Sequence, residues 1–147
     1  MIRRGPRGLA RDRSGGAAVE FALVLGPLIF LIFGAMEYGR LLWTKQALQE
    51  SAIAGARCMG LLASGCASAG VYSATGTTTY VQGVASGLTL AVPTANVTLD
   101  RAAACAGVSG FSSVTISYTF QAAVPVLLGS ASSAMPLSAT ACFPNNT

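Results

Sequence analysis

A single glutamate, Glu20, lies near the start of a long apolar segment and is chemically the most unusual residue of the chain. Residues 17–36 contain no other charged side chain. A charged side chain within a membrane-spanning helix costs about 2.5 to 3.5 kcal/mol on insertion scales, so such residues tend to be paired or functional. We therefore expect Glu20 to pair with a cation rather than to face lipid alone.

Four cysteines form the second set of reactive residues, and all of them follow the apolar segment. None is part of a CxxC pair, which argues against a zinc site or a thioredoxin-like redox motif. An even number beyond a membrane helix is typical of a compartment that permits disulfides. Of the three possible pairings we favour Cys58 with Cys66, which closes the loop after the long helix, and Cys105 with Cys142, which ties a sheet turn to the last strand.

The remaining polar residues do not form a catalytic or metal-binding pattern. The chain has no histidine, which removes the commonest metal ligand and general base. The acids after residue 15 are few and scattered, and no nucleophile-base pair or phosphate-binding loop is visible. We expect no enzymatic activity, no metal and no cofactor.

The positive charge of the chain is concentrated at its N-terminus. Five of the nine basic residues precede residue 15, with one acid, which leaves four basic (9 − 5) and four acidic residues (5 − 1) in the rest of the chain. A nucleic-acid-binding protein would need a basic face on its folded domain. We therefore exclude nucleic acid as a partner. The basic residues of the leader are Arg3, Arg4, Arg7, Arg11 and Arg13.

Length and composition predict that residues 17–36 span a membrane. Twenty residues at about 1.5 Å each extend roughly 30 Å, the thickness of the hydrocarbon core of a bilayer. The polar residues 1–15 would be a solvated basic leader. Because basic residues stay on the cytoplasmic side, we expect a cytoplasmic N-terminus and a C-terminal body in the periplasm or outside the cell.

The helix is expected to continue beyond the bilayer and to cover residues 16–62. Residues 37–62 contain no proline and are rich in residues that favour helix. Pro27, which follows Gly26, removes a backbone donor and is expected to kink or locally melt the helix. Apolar or small residues recur along this segment at spacings of three, four or seven and so form one stripe on the helix. They are Leu41, Leu48, Ala52, Gly55, Ala56, Met59 and Leu62.

Residues 63–147 are expected to form a small α+β domain whose antiparallel sheet packs on the outer half of the helix. Thr77 to Ser86 is a candidate helix. The clearest strand alternates Val114, Ile116, Tyr118 and Phe120 with polar residues. The predicted strands are Asn96 to Asp100, Val114 to Ala123 and Leu137 to Phe143, with a turn at Gly107 to Gly110 and an end to the second strand at Pro125.

Residues 14–21 resemble a type IV pilin-like signal, in which a prepilin peptidase cuts after a glycine and glutamate is the fifth residue after the cut. A cut after Gly15 gives Glu20 that position, while a cut after Gly16 leaves it one place short. Glu20 and Phe21 match the Glu-aromatic pair of the Flp and Tad subgroup. Residues 17–28 look like the start of the TadE/TadG-like pseudopilins, and the resemblance extends over about residues 14–60.

The resemblance implies a minor pilin or pseudopilin with a pilin-like fold, used to assemble a tight-adherence (Tad) pilus for surface adherence. It also implies partners: the prepilin peptidase, other pilins and pseudopilins, the inner-membrane assembly platform and the lipid bilayer. Glu20, with Phe21 beside it, would set the axial register by pairing with the amine of a neighbouring subunit. The protein would reside in the inner membrane before incorporation into the extracellular pilus.

Two other interpretations use the same basic leader and apolar segment. A secretory precursor would have Phe21 to Phe33 as its apolar region and a cleavage site near residue 36, but Phe33 is too bulky for the small-x-small pattern of such a site. An unprocessed, signal-anchored membrane protein with an external binding domain is the main alternative to a pilin. Processing of the N-terminus distinguishes that alternative from the pilin.

Overall fold

The computed structural model describes residues 15–124 and 133–146 of the 147-residue chain. Residues 1–14 of the predicted leader and Pro125 lie outside this range. Within it a long helix precedes a small hairpin, a second helix and an antiparallel sheet, which confirms the α+β prediction. The elements are α1 (Gly16–Gly60), β1 (Ala67–Ser68), β2 (Val71–Tyr72), α2 (Ala74–Gly87), a 3₁₀ helix (Thr94–Asn96), β3 (Val97–Cys105), β4 (Val108–Gln121) and β5 (Ala134–Pro144).

Helix α1 is 45 residues long and ends two residues before the predicted position 62. It runs unbroken through Pro27, so local melting, one of the two predicted outcomes, is wrong, while the kink stays a prediction. A proline removes only its own donor from the ladder, and the hydrogen bonds of the flanking turns maintain the helix. The chain divides into two compact units, one up to Met36 and one from Glu37 onward.

The unit up to Met36 consists, in its described part, of an apolar helix whose side chains are almost all exposed. Phe21 and Leu31, for example, are 65% and 70% exposed. By its length and composition, the helix is apolar enough to cross a membrane. Exposed apolar residues all around a helix are typical of a segment surrounded by lipid. This segment is a candidate membrane anchor.

The unit from Glu37 onward is built around a three-stranded antiparallel sheet in the order β3-β4-β5. Val114 of β4 lies opposite Leu99 of β3 and Ala141 of β5. The alternation predicted for β4 is present, since Val114, Ile116 and Phe120 are buried. One face of the sheet therefore packs into the core, as expected for an antiparallel sheet with a solvated outer face.

All three strands are longer than predicted. Their ends lack a clear alternation of apolar and polar residues, so the sequence pattern did not indicate them. The turn between β3 and β4 is formed by Ala106 and Gly107, whereas Gly110 lies within β4. Gly110 has a φ of 90°, and the pairing register shifts beside it, between Ala103 and Cys105. Glycine adopts this backbone conformation without the steric cost that other residues pay. A bulge thus replaces part of the predicted turn.

Small residues let α1 approach α2 and the sheet closely. The buried face of α1 includes Ala52, Gly55 and Ala56. A Cβ added to Gly55 would overlap Cγ2 of Val81 in α2 and would lie 3.4 Å from Cγ2 of Val114 in β4. The described core also contains Ala47, Leu48, Met59, Val81, Ala85, Leu90, Val92, Val114, Ile116, Ala139 and Ala141.

Helix α2 spans three residues more than predicted at its N-terminus and begins after the cap residue Ser73. The Ser73 hydroxyl accepts a hydrogen bond from the backbone N–H of Gly76, at 3.1 Å. Such a cap satisfies a donor that the helix itself leaves unpaired. Sequence analysis missed the preceding hairpin of β1 and β2, because two-residue strands are too short to show alternation.

Two disulfides connect the elements of this unit. Cys58 in the last turns of α1 pairs with Cys66, and the two Cα atoms are 5.8 Å apart. Cys105 at the end of β3 pairs with Cys142 of β5, with Cα atoms 6.5 Å apart. These are the pairings favoured from the sequence. They restrain the end of α1 and the two outer strands of the sheet.

Replacing Gly55 with alanine tests the close approach of α1 to α2. We expect Gly55→Ala to destabilise the full-length protein in detergent by about 1 to 3 kcal/mol, because the added methyl overlaps Val81. Thermal unfolding followed by circular dichroism measures the change. Gly83→Ala in α2, where an added Cβ meets no atom within 4 Å, is the control and should be neutral or stabilising. Equal stability of the Gly55→Ala protein would contradict the packing.

Candidate functional site

The predicted processing segment lies at the very start of α1. Gly15 precedes the helix and accepts the first hydrogen bond recorded there, from the N–H of Val19 at 3.2 Å. A Cβ at Gly15 or at Gly16 would meet no atom within 4 Å, so the backbone at both positions is sterically open. An open backbone suits the entry of a chain into a peptidase. Whether cleavage follows Gly15 or Gly16 stays a prediction.

Glu20 is exposed on the second turn of α1, and Phe21 beside it is 65% exposed. Within the described part of the chain, no hydrogen bond or ion pair is recorded for the Glu20 carboxylate. Gly16 is four residues earlier, about 6 Å along the helix axis and on the same helix face. An amine created at Gly16 would therefore lie within reach of a carboxylate that has no recorded partner in the same unit.

Glu37 is the first residue after the apolar segment, and the structure gives it a specific role. The side chain is buried, with 7% of its surface exposed. One carboxylate oxygen accepts a hydrogen bond from the backbone N–H of Ala123, at 2.8 Å. The other accepts from the guanidinium of Arg40, at 2.9 Å. Both oxygens of this buried carboxylate are thus satisfied, as burial of a charge requires.

Arg40 connects this carboxylate to the sheet as well. Its guanidinium carbon lies 5.4 Å from the centre of the Phe120 ring, within the range of a cation–π interaction. Thr44, one turn later, donates its hydroxyl hydrogen to the carbonyl oxygen of Arg40, at 2.9 Å. We call Glu37, Arg40, Phe120 and Ala123 the sheet-end cluster. It fixes the end of β4 to α1 directly after the apolar segment.

The opposite end of this part of α1 is held by the C-terminal segment after β5. The N–H of Asn146 donates to the carbonyl oxygen of Gly60, the last residue of α1, at 3.0 Å. The Asn145 side-chain amide donates to the carbonyl oxygen of Arg101 in β3, at 2.8 Å. Its side-chain oxygen accepts from the hydroxyl of Ser112 in β4. Sequence analysis assigned neither asparagine a role, because their partners are distant in the chain.

The described residues do not come together as a metal centre. Among residues 15–124 and 133–146 no group of three or more His, Cys, Asp or Glu side chains is placed to hold a metal ion. The four predicted cysteines are in disulfides, while Glu20 and Glu37 lie in different compact units. The arrangement consists of an exposed apolar helix with one carboxylate near its start, followed by a disulfide-bonded domain fixed to the rest of the helix.

The N-terminal part of the chain matches a known protein family. Residues 15–57 match the family described as TadE-like protein. The matched segment begins at Gly15, contains Glu20 and Phe21, and ends within the last turn of α1. It identifies the N-terminal segment as TadE-like and is consistent with a pilin-related protein, a structural rather than an enzymatic class. Comparisons with curated proteins and with solved structures returned no match.

Removing the Glu37 carboxylate should destabilise the domain. We expect Glu37→Ala to lower the free energy of unfolding by about 1 to 3 kcal/mol, since it removes the charged acceptor of both the Ala123 N–H and the Arg40 guanidinium. Glu37→Gln keeps an amide oxygen at that position and should cost less. Thermal unfolding of the full chain in detergent measures both changes.

Glu50→Ala is the matched control for that experiment, because Glu50 is an exposed acid on the same helix. Surface changes of this kind usually alter stability by less than about 0.5 kcal/mol. A Glu37→Ala protein as stable as the Glu50→Ala protein would show that the sheet-end cluster does not hold the domain on α1.

Proposed function

We propose, on the premise that the N-terminal segment is TadE-like, that this protein is a minor pilin or pseudopilin of a Tad-type pilus used in surface adherence. It would be inserted in the inner membrane by residues 17–36, with its N-terminus in the cytoplasm and its C-terminal domain in the periplasm. A prepilin peptidase would remove the leader after Gly15. Other pilins, pseudopilins and the inner-membrane assembly platform would be its partners.

The observation that carries this proposal is the position of Glu20. It is exposed on an apolar helix four residues after Gly16, and within the described chain its carboxylate has no recorded partner. Opposite charges at about 4 Å attract by roughly 4 kcal/mol at an effective dielectric constant near 20. A subunit that presents a carboxylate and a new amine on one helix face can pair either with itself or with a neighbour. Pairing with a neighbour would fix the axial register of assembly.

The C-terminal domain supports a structural role through its rigidity. Two disulfides restrain it, and the sheet-end cluster and the Asn146 hydrogen bond attach it to the outer part of α1 at both ends. Disulfides of this kind typically contribute about 2 to 4 kcal/mol each to the stability of a small domain. A domain held in this way would keep its shape outside the membrane, where disulfides persist.

Analysis of the mature N-terminus tests the processing step. We expect mass spectrometry of the protein from cells that contain the prepilin peptidase to show a chain that begins at Gly16. In cells without the peptidase, the leader should remain attached. Gly15→Leu should block cleavage, because a bulky side chain at the cut hinders entry into the peptidase, whereas Gly8→Leu within the leader should not.

A leader still attached in cells that contain the active peptidase would refute the processing step. It would favour the alternative of a signal-anchored membrane protein with an external binding domain. A chain that begins at Ala17 would move the cut to Gly16 and place Glu20 fourth, which would weaken its proposed pairing with the amine.

Replacing Glu20 tests the assembly role separately from processing. We expect Glu20→Ala to be cleaved and inserted normally but to enter the pilus complex at least about tenfold less, since an attraction of several kcal/mol is lost. Quantitative immunoblotting of purified pili and of membranes measures incorporation. Glu20→Gln, which keeps the shape and removes the charge, should behave like Glu20→Ala, and Glu50→Ala should behave like the unchanged protein. Normal incorporation of Glu20→Ala would refute the role.

A further inference from the structure

We propose that a pocket beside Arg40 binds the headgroup of an anionic phospholipid from the bilayer that the apolar segment would occupy. The pocket, which we call the basal pocket, has a volume of about 490 Å³ and lies wholly within the unit that begins at Glu37. Its polar lining comes from α1, from the segment after α2 and from the end of β4. The lining includes Arg40, Trp43, Thr44, Thr89, Tyr118 and Gln121.

The position of the pocket along the chain matches the depth of lipid headgroups. A bilayer has a hydrocarbon core of about 30 Å and a total thickness of about 40 to 45 Å, so each headgroup layer is roughly 5 to 7.5 Å thick. At about 1.5 Å per residue, this layer corresponds to roughly three to five helical residues. Counted from Met36, the last residue of the apolar segment, those positions end between Gly39 and Leu41, a range that includes Arg40.

The exposed aromatic residues of this part of α1 fit the same location. Trp43 and Tyr38 are 59% and 56% exposed, although both are large and partly apolar. Tryptophan and tyrosine are enriched where a membrane meets water, because their rings are apolar and their N–H or O–H groups are polar. Tyr38 thus lies within the headgroup layer counted above, and Trp43, in the wall of the basal pocket, lies on the water-facing side of that layer.

Arg40 gives the pocket its preference for an anion. A guanidinium has five N–H donors, and it binds phosphate in a planar, bidentate geometry. Its recorded hydrogen bond is the one to Glu37, and the side chain is 57% exposed, so donors remain available to a ligand. The contacts with Glu37 and Phe120 orient the guanidinium before any ligand arrives. Glu37 already pairs with the charge of Arg40, so the N–H donors that Glu37 leaves open, rather than an uncompensated charge, would hold the phosphate of an anionic headgroup.

Thr89 allows a charge to be placed in the pocket without disturbing Arg40. Its φ is 64°, in the left-handed region that asparagine and aspartate adopt more readily than threonine. Thr89→Asp and Thr89→Asn therefore suit the backbone equally well and differ only in charge. Both lose the same hydroxyl hydrogen bond, which runs to the carbonyl oxygen of Leu88. Any difference between the two variants is electrostatic.

The proposal rests on the membrane anchoring proposed above, and the test uses the full chain reconstituted in phosphatidylcholine bilayers. Electron paramagnetic resonance of spin-labelled lipids measures the association of phosphatidylglycerol relative to phosphatidylcholine. We expect about a fivefold preference for phosphatidylglycerol. This is the size of the gain in association that one basic side chain gives at an anionic lipid surface. Thr89→Asp and Arg40→Gln should reduce the ratio to near one, while Thr89→Asn should retain it.

Lys45→Gln controls for general surface charge, because Lys45 is an exposed base on α1 that does not line the pocket. It should keep most of the preference. Three results would each contradict the proposed lipid site. The first is equal association of the two lipids with the unchanged protein, and the second is an equal loss of the phosphatidylglycerol preference in Thr89→Asn and Thr89→Asp. The third is a loss of that preference in Lys45→Gln as large as in Arg40→Gln. Failure of the anchoring itself would be seen separately, as recovery of the protein in the soluble fraction of cells.

Discussion

The close packing of small residues on α1 is the constraint on which the domain depends. The sheet is three strands wide, and its buried face is covered by a helix that presents mainly alanine, glycine and serine. Such residues bury little apolar area each, so the contact is useful only if the backbones approach closely. Gly55 allows this approach, and Ser51 satisfies its own buried hydroxyl through the carbonyl oxygen of Ala47, at 2.8 Å.

A core filled mainly by small side chains needs stabilisation from elsewhere, and the covalent and polar links supply it. Cys58–Cys66 lies beside the end of α1, and Cys105–Cys142 ties β3 to β5. Glu37 and Asn146 add hydrogen bonds at the two ends of the same stretch of α1. The links thus lie at both ends of this stretch of α1 and across the sheet. This distribution explains how a sheet of three strands can be maintained on a single helix.

The sequence was most informative where a periodic pattern was long and least informative where a contact joined distant residues. The apolar stripe of α1 and the alternation around Ile116 predicted the helix, the central strand and the face that each buries. The hydrogen bond from the backbone N–H of Ala123 to the Glu37 carboxylate could not be predicted, because it depends on where β4 ends relative to α1. The local melting predicted at Pro27 does not occur, since one missing donor does not interrupt a helix of 45 residues.

The two glutamates on α1 show why the same residue type leads to different conclusions. Glu37 is buried, and its oxygens accept from Arg40 and Ala123, so its charge is compensated within the domain. Glu20 lies in an apolar helix, is exposed, and has no partner recorded in the described chain. A carboxylate surrounded by lipid is costly unless it meets a cation. The described part of its own unit offers no basic side chain, and the proposed pairing with the amine of a processed helix start, in the same or a neighbouring subunit, would supply the compensating charge.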